Sequence, residues 1–198
     1  SHERFGKDIW SVEADPGQIE QVLLNLFLNA SNAMLQELSR YNLQREQQGR
    51  PPIAIGIGVH IGHVMLGTIG EAERMDGTVI ADAVNLASRL EGLTKRYGAS
   101  ILISEHTLSK ITRPESYHTR FLGKVQVKGK HEAVSVFEMY DGDSDHIKTL
   151  KMSSATDFEQ GLYHYLAKEF TKAAMFFEKV LSINPEDKTA KLYLERSA

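Results

Sequence analysis

Asn85 and Arg89 stand four residues apart in the stretch DAVNLASRLEGL, so on a helix both side chains project from one face. An amide beside a guanidinium suits a polyanion, because the Arg fork grips phosphate oxygens in pairs. Lys128 and Lys130 flank Gly129 at a turn and would bring two compact positive charges toward the same phosphates. Thr78 precedes the helix and could cap the turn that leads into it. Read singly, Arg89 could instead pair with Glu91 or Asp82, and Asn85 could tie down a strand end. Lys128 and Lys130 could be plain surface charges. Competing chemistries find little support. No Ser-His-Asp order and no zinc spacing occurs, and GIG and GTIG have the wrong spacing for a dinucleotide fingerprint. His60 and His63 sit three apart around Gly62 with no carboxylate cluster nearby, so no metal site is expected there.

These residues need a scaffold, and the chain reads as three zones. Asp15-Pro16 opens a helix, Asp as N-cap and Pro at the first helical position. Ile19, Val22, Leu23, Leu26, Ala30, Ala33, Met34 and Leu38 recur at three and four and predict its buried face. The polar run Asn42 to Gln48 prolongs it as a solvated face until Gly49-Arg50-Pro51-Pro52 stops it. In the middle zone Ile53, Ile55, Ile57 and Val59 alternate with Ala54, Gly56 and Gly58, a strand with one side kept small. A second short strand over Val64 to Thr68 follows, and after Thr78 the helix that carries Asn85 and Arg89. Then come a strand over Ser100 to Ser104, a short helix over Glu105 to Ile111, and a hairpin of Phe121–Val127 with Ala133–Met139. From Asp157 to Ser197 the pattern is helical throughout, with Phe158, Leu162 and Tyr165 on one face and Ala173, Phe177 and Val180 on the next. Intermingled strands and helices predict an α+β fold.

Composition narrows the function classes. The 198 residues carry 23 Lys and Arg against 26 Asp and Glu, a net charge of -3, so no global field draws the chain to nucleic acid or anionic membrane. The absence of cysteine excludes disulfide frameworks, Cys-ligated zinc and thiol catalysis. The most apolar run, Val22 to Ala30, is broken by Asn25 and Asn29 and is far short of the ~20 residues of a membrane span. No signal-peptide order opens the chain, so a cytoplasmic location is expected. A first residue of Ser rather than Met fits a fragment.

The stretches IGIGVHIGHVMLGTIGEAERMDGTVIADAVNLASRLEGLTKRYGASILIS and FLGKVQVKGKHEAVSVFEMY, within Met34 to Tyr140, resemble the C-terminal half of a class III adenylate/guanylate cyclase catalytic domain. The resemblance implies part of a ferredoxin-like sheet and a phosphorus-oxygen lyase that converts ATP to cyclic AMP and pyrophosphate. Thr78, seven residues before Asn85, would help select adenine. Asn85 would position the ribose and its 3′ oxygen, and Arg89 would stabilise charge on the phosphoryl group. Lys128 or Lys130 would hold the β and γ phosphates. The family uses Mg²⁺ or Mn²⁺ held by two Asp residues, one in a Phe-x-Asp-Ile-x-Gly strand and one in a Gly-Asp hairpin. Neither motif occurs here; Phe5-Gly6-Lys7-Asp8-Ile9 has only a passing likeness. The metal ligands are therefore expected from the missing N-terminal half and not from this chain, the expected partner is a complementary half or a second protomer, and the chain is expected to be truncated and inactive alone. Gly77, Ala81 and Ile61 are smaller departures from the family pattern.

Two flanking resemblances complete the organisation. EADPGQIEQVLLNLFLNASNAM, Glu13 to Met34, resembles the N-box of histidine kinase ATP-binding domains, in which the residue at Asn29 contacts Mg²⁺. Ala173, Phe177, Val180 and Pro185 are similar in spacing to the second helix of a tetratricopeptide repeat. A lone repeat cannot bury its own face, so the tail is expected to pack on the middle zone or on a protein partner. The expected units are a helical segment over residues 1–33, the cyclase-like half over 34–141 and the helical tail over 155–198. A non-catalytic regulatory fragment that docks a partner is the alternative function. The open edge of the Ile53–Val59 strand predicts a chain that self-associates or is poorly soluble.

Overall fold

The structure is a computed structural model and describes residues 15–63, 65–69, 76–80, 82–126 and 133–197. Helix α1 spans Pro16–Gln47, 32 residues. The Asp15 carboxylate accepts from Gly17 N at 2.8 Å and so occupies one of the otherwise unpaired amides at the helix start. The polar run does continue the helix. Beyond it the chain folds back, because the Asn42 side chain both donates to Ile53 O and accepts from Ile53 N, each at 2.8 Å.

The buried face of α1 differs from the expected one. Leu24, Leu28, Ser31 and Leu35 are buried, whereas Ile19, Val22, Leu23, Leu26 and Met34 are exposed. The helix is apolar almost all round between 19 and 35, so periodicity alone cannot choose a face. The sheet chooses, presenting Ile101, Ile103 and Met139 to the 24/28/35 stripe.

Four strands form that sheet in the order β1-β4-β6-β5: β1 Ile57–Val59, β4 Ile101–Ser104, β6 Ala133–Met139 and β5 Thr119–Gln126. β1 runs parallel to β4 with Ile57 opposite Ile101, and β6 is antiparallel to both β4 and β5. Only Ile57–Val59 of the predicted Ile53–Val59 strand joins the ladder. β2 (Met65–Ile69) and β3 (Asp76–Ile80) form a separate antiparallel pair with Gly67 opposite Thr78. Thr78 therefore lies in mid-strand rather than capping a helix, and helix α2 starts later, spanning Asp82–Tyr97. A short helix α3 covers Glu105–Ser109.

Alternation along β4 divides the core in two. Ile101 and Ile103 face α1, while Leu102 faces α2 and the C-terminal helices. Helix α4 (Asp145–Ser153) was not expected from the sequence; the Ser144 hydroxyl accepts from Ile147 N at 3.4 Å at its start. Helices α5 (Ala155–Leu166), α6 (Phe170–Ile183) and α7 (Lys188–Ser197) follow. Phe158 meets Phe177 edge-on at 5.8 Å, and Phe177 stacks on Tyr193 at 5.4 Å. These rings share one cluster with Leu86, Leu90, Leu102, Leu122 and Val136, so the tail buries its apolar face on the sheet domain. No helix among the described residues is long and apolar enough to cross a membrane.

Candidate functional site

α2 is the element that holds the best-placed candidates, and its own sequence explains its seat. Ala83, Leu86, Leu90, Thr94 and Tyr97 recur at three and four and are buried. Asp82 lies in the first turn and Lys95 and Arg96 in the last, each matched to the helix dipole. The helix can lie directly on β1 because that strand keeps one side empty. A Cβ at Gly58 would strike Ala87 O and Glu91 N, and one at Gly56 would strike the Thr94 hydroxyl. This is the structural reason for the small alternating side read in the sequence.

With one face of α2 so committed, Asn85 and Arg89 stand together on a solvent-exposed flank, one turn apart. Among the described residues Arg89 forms no ion pair, so neither Glu91 nor Asp82 holds it. Asn85 likewise makes no hydrogen bond to a described residue. Thr78 lies on β3, the strand that precedes α2. Lys128 and Lys130 fall outside the described residues, in the connection between β5 and β6, whose last register pair is Gln126 with Ala133. The structure thus brings Asn85 and Arg89 to one surface and places Thr78 on the adjoining strand. Asn29 is exposed on α1, beside the buried Leu28.

A separate open cavity of about 520 Å³ lies at the N-terminal end of α2, lined by Asp82 and Ala83 with His60, His63, Glu105 and His106. His60 Nδ1 lies 2.7 Å from Ser104 Oγ, and its ring is 6.1 Å from that of His106. Ser104 is fully buried; its hydroxyl also accepts from Thr107 N and so serves the start of α3. That hydroxyl is structural, and His106 went unnoticed in the sequence because nothing there links it to His60. Among the described residues no group of three or more His, Asp or Glu side chains could hold a metal ion.

The most strongly coupled charges join β5 and β6 to α4 and the start of α7. Arg120 on β5 pairs through Nε with Glu138 opposite it on β6, and through Nη1 with Asp187 Oδ2 at 2.6 Å. Lys151 Nζ reaches Glu138 Oε1 at 2.7 Å and Asp143 Oδ2 at 2.6 Å. The Arg120 guanidinium also lies over the Phe158 ring, 4.4 Å from its centroid. Burial alone would raise the Asp187 pKa, but the adjacent Arg120 outweighs it and holds the carboxyl below its ordinary value. Asp143 is pushed above its ordinary value by burial, which Lys151 only partly offsets. Sequence reading missed this network because its members are up to 67 residues apart.

Comparison with known proteins concerns the stretch that includes α2. Residues 21–140 match the family described as Adenylate and Guanylate cyclase catalytic domain. The match begins inside α1, which runs unbroken through residues 33 and 34. An adenylate cyclase of Anabaena cylindrica is 49% identical over 117 residues, 57% of this chain and 23% of that protein. The terminal-differentiation specific adenylate cyclase of Dictyostelium discoideum is 35% identical over 145 residues, 73% of this chain and 7% of that protein. The chain thus spans less than a quarter of the length of either relative. Among solved structures, the adenylyl cyclase CyaB from P. aeruginosa is 32% identical, over 54% of this chain and 53% of that one, with a TM-score of 0.44. With the family pattern matched over most of its length, the chain belongs to the adenylate and guanylate cyclase catalytic domain family.

Proposed function

We propose that this chain is the nucleotide-facing half of a class III nucleotidyl cyclase that converts ATP to cyclic AMP and pyrophosphate. The observation that carries the reading is the pair Asn85 and Arg89, exposed on one flank of α2 without partners among the described residues, in the stretch that matches the family. In the reaction the ribose 3′ oxygen attacks the α phosphorus, the bond from that phosphorus to the pyrophosphate oxygen breaks, and the 3′-hydroxyl proton is lost. Asn85 orients the ribose. Arg89 meets the charge that develops on the phosphoryl oxygens, and such a contact matters most where positioning and electrostatics carry the rate. Thr78 contacts the base and favours adenine over guanine. Lys128 and Lys130 hold the β and γ phosphates.

The Mg²⁺ or Mn²⁺ of the family does not fit the described residues, which offer no ligand set for it. Its carboxylates come from the complementary N-terminal half of the domain, and no step here runs through the metal. The chain alone is inactive. Residues 155–198 form a tetratricopeptide-like tail that can meet a protein partner, and the segment before residue 34 keeps its kinase N-box likeness without a nucleotide role. The location is cytoplasmic, within cyclic-nucleotide signalling. A second reading, a non-catalytic interaction fragment, draws on the exposed Val22, Leu26 and Phe27 of α1.

The test is cyclic AMP formation from ATP with Mn²⁺, using the chain alone and mixed with a cyclase half that carries both metal aspartates. Activity is expected only in the mixture, and Arg89→Ala should lower it ~10²–10³-fold. Silence in both, from chain shown to be folded, overturns the cyclase reading and leaves the interaction fragment.

A further inference from the structure

Helix α7 touches both elements that lead to the proposed nucleotide contacts, and does so through directional polar bonds as well as packing. At its start, Asp187 accepts from Ala190 N at 3.0 Å while its two oxygens take Nη1 and Nη2 of Arg120 on β5 at 2.6 and 3.2 Å. Two residues on, the fully buried Thr189 hydroxyl donates to Tyr97 O, on the last residue of α2, at 2.7 Å. Further along, the Tyr193 hydroxyl donates to Leu122 O on β5, across a sequence separation of 71 residues.

The receiving surfaces are shaped for these contacts. Gly123 follows Leu122 at the register shift in β5 with φ of 115°, and a Cβ there would stand 2.6 Å from Tyr193 Oη. Gly98 follows Tyr97 with φ of 68°, and a Cβ there would stand 2.6 Å from Lys188 Cβ. The apolar cluster that Ala190 shares with Leu86, Leu90 and Leu102 would by itself tolerate sliding. Buried hydrogen bonds to two fixed carbonyls do not tolerate it, because a displaced hydroxyl would leave both partners unpaired.

We infer that α7 is a brace that sets α2 against β5, with Asp187, Thr189 and Tyr193 as positioning residues for the cyclase site. None of them reaches substrate. They act by fixing the helix that carries Asn85 and Arg89 relative to the strand that leads toward Lys128 and Lys130. This rests on the reading of those four residues as nucleotide contacts. Whatever shifts α7 then shifts α2, and Asn85 and Arg89 with it, against β5.

The experiment uses the full chain with Thr189→Val and Tyr193→Phe, singly and together, each removing one hydroxyl with little change in shape. In the complemented assay the double variant should lose about tenfold in kcat with the KM for ATP nearly unchanged. A smaller folded fraction would produce the same pattern, so the pair is also placed in an Arg89→Lys background. A brace acting through α2 predicts that the loss shrinks there; an equal loss in both backgrounds overturns the positioning role. Amide hydrogen exchange supplies a readout independent of activity. Exchange over residues 85–97 should quicken in the folded double variant while α1 keeps its protection. Unchanged exchange across α2 overturns the brace outright. If the wild-type mixture forms no cyclic AMP, the function proposed above fails and exchange alone decides the brace.

Discussion

Asn85 and Arg89 stand in solvent, outside the stripe of Ala83, Leu86 and Leu90 that α2 buries. A charged side chain kept for the fold would have found a partner, as Arg120 did. Because nothing among the described residues leans on them, Arg89→Ala and Asn85→Ala should each leave the unfolding free energy, measured by chemical denaturation, within about 0.5 kcal/mol of the wild type. A clear loss of stability in either would show that the side chain serves the fold. Arg120, Glu138 and Asp187 are the opposite case, with side chains from 0% to 9% exposed. Asp187→Asn removes one of the two carboxylates on Arg120 and should cost about 3–5 kcal/mol, as for other broken buried pairs. The sign of its pH dependence follows from the depressed pKa. An unfolded Asp titrates near ~3.9, and the folded one lower, so the contribution is present above that value and lost as pH falls through the folded pKa. Urea midpoints measured from neutral to acid should therefore fall less steeply for Asp187→Asn than for wild type. Asp143 works in the opposite sense, since its raised pKa favours the fold as pH drops toward ~4.

At the scale of elements, what could be read depended on whether a pattern had one physical solution. α2 was legible as a helix, with the four-residue spacing that puts Asn85 and Arg89 on one face, but its apolar residues read as mixed faces; only the packing selects Ala83, Leu86 and Leu90 as the buried stripe and leaves Val84 exposed. The small side of β1 was legible too, although only the structure shows that Gly56 and Gly58 make room for α2. α1 was legible as a helix but not in its orientation, because Leu23, Leu24, Leu26, Phe27 and Leu28 surround its axis. The test of that face is direct. Leu28→Ala empties a fully buried site and should cost about 2–5 kcal/mol, while Leu26→Ala, 60% exposed, should change stability by less than about 0.5 kcal/mol. The reverse order would restore the face that the periodicity suggested. Strand β3 and helix α4 were missed for different reasons. Asp76 and Gly77 are poor strand formers, and β3 exists as a partner to β2. α4 is short, and its one buried residue, Lys151, joins the ion network, which hydrophobic periodicity cannot register.

At the scale of the molecule, two unsatisfied surfaces belong to α1 and β1. β1 is bonded to β4 on one side, and among the described residues no strand lies on its other side. Along α1, Val22, Leu26 and Phe27 are 66%, 60% and 62% exposed, with Ile19, Leu23 and Met34 beside them. A strand edge offers unpaired backbone groups to another chain, and an apolar stripe of this length stabilises whatever covers it. The isolated chain is therefore expected to self-associate, eluting above monomer mass in size-exclusion chromatography with light scattering. Since apolar burial rather than ion pairing drives the association, added salt should not dissociate it. Leu26→Lys with Phe27→Glu should shift the population toward monomer without lowering the melting temperature, because neither side chain contributes to the core. A wild-type chain that stays monomeric at tens of micromolar would refute the prediction. The complementary cyclase half adds a further arm to the same measurement. If it completes the sheet beyond β1, adding it should replace the self-associated species with a defined complex, and cyclic AMP formation should appear in that fraction.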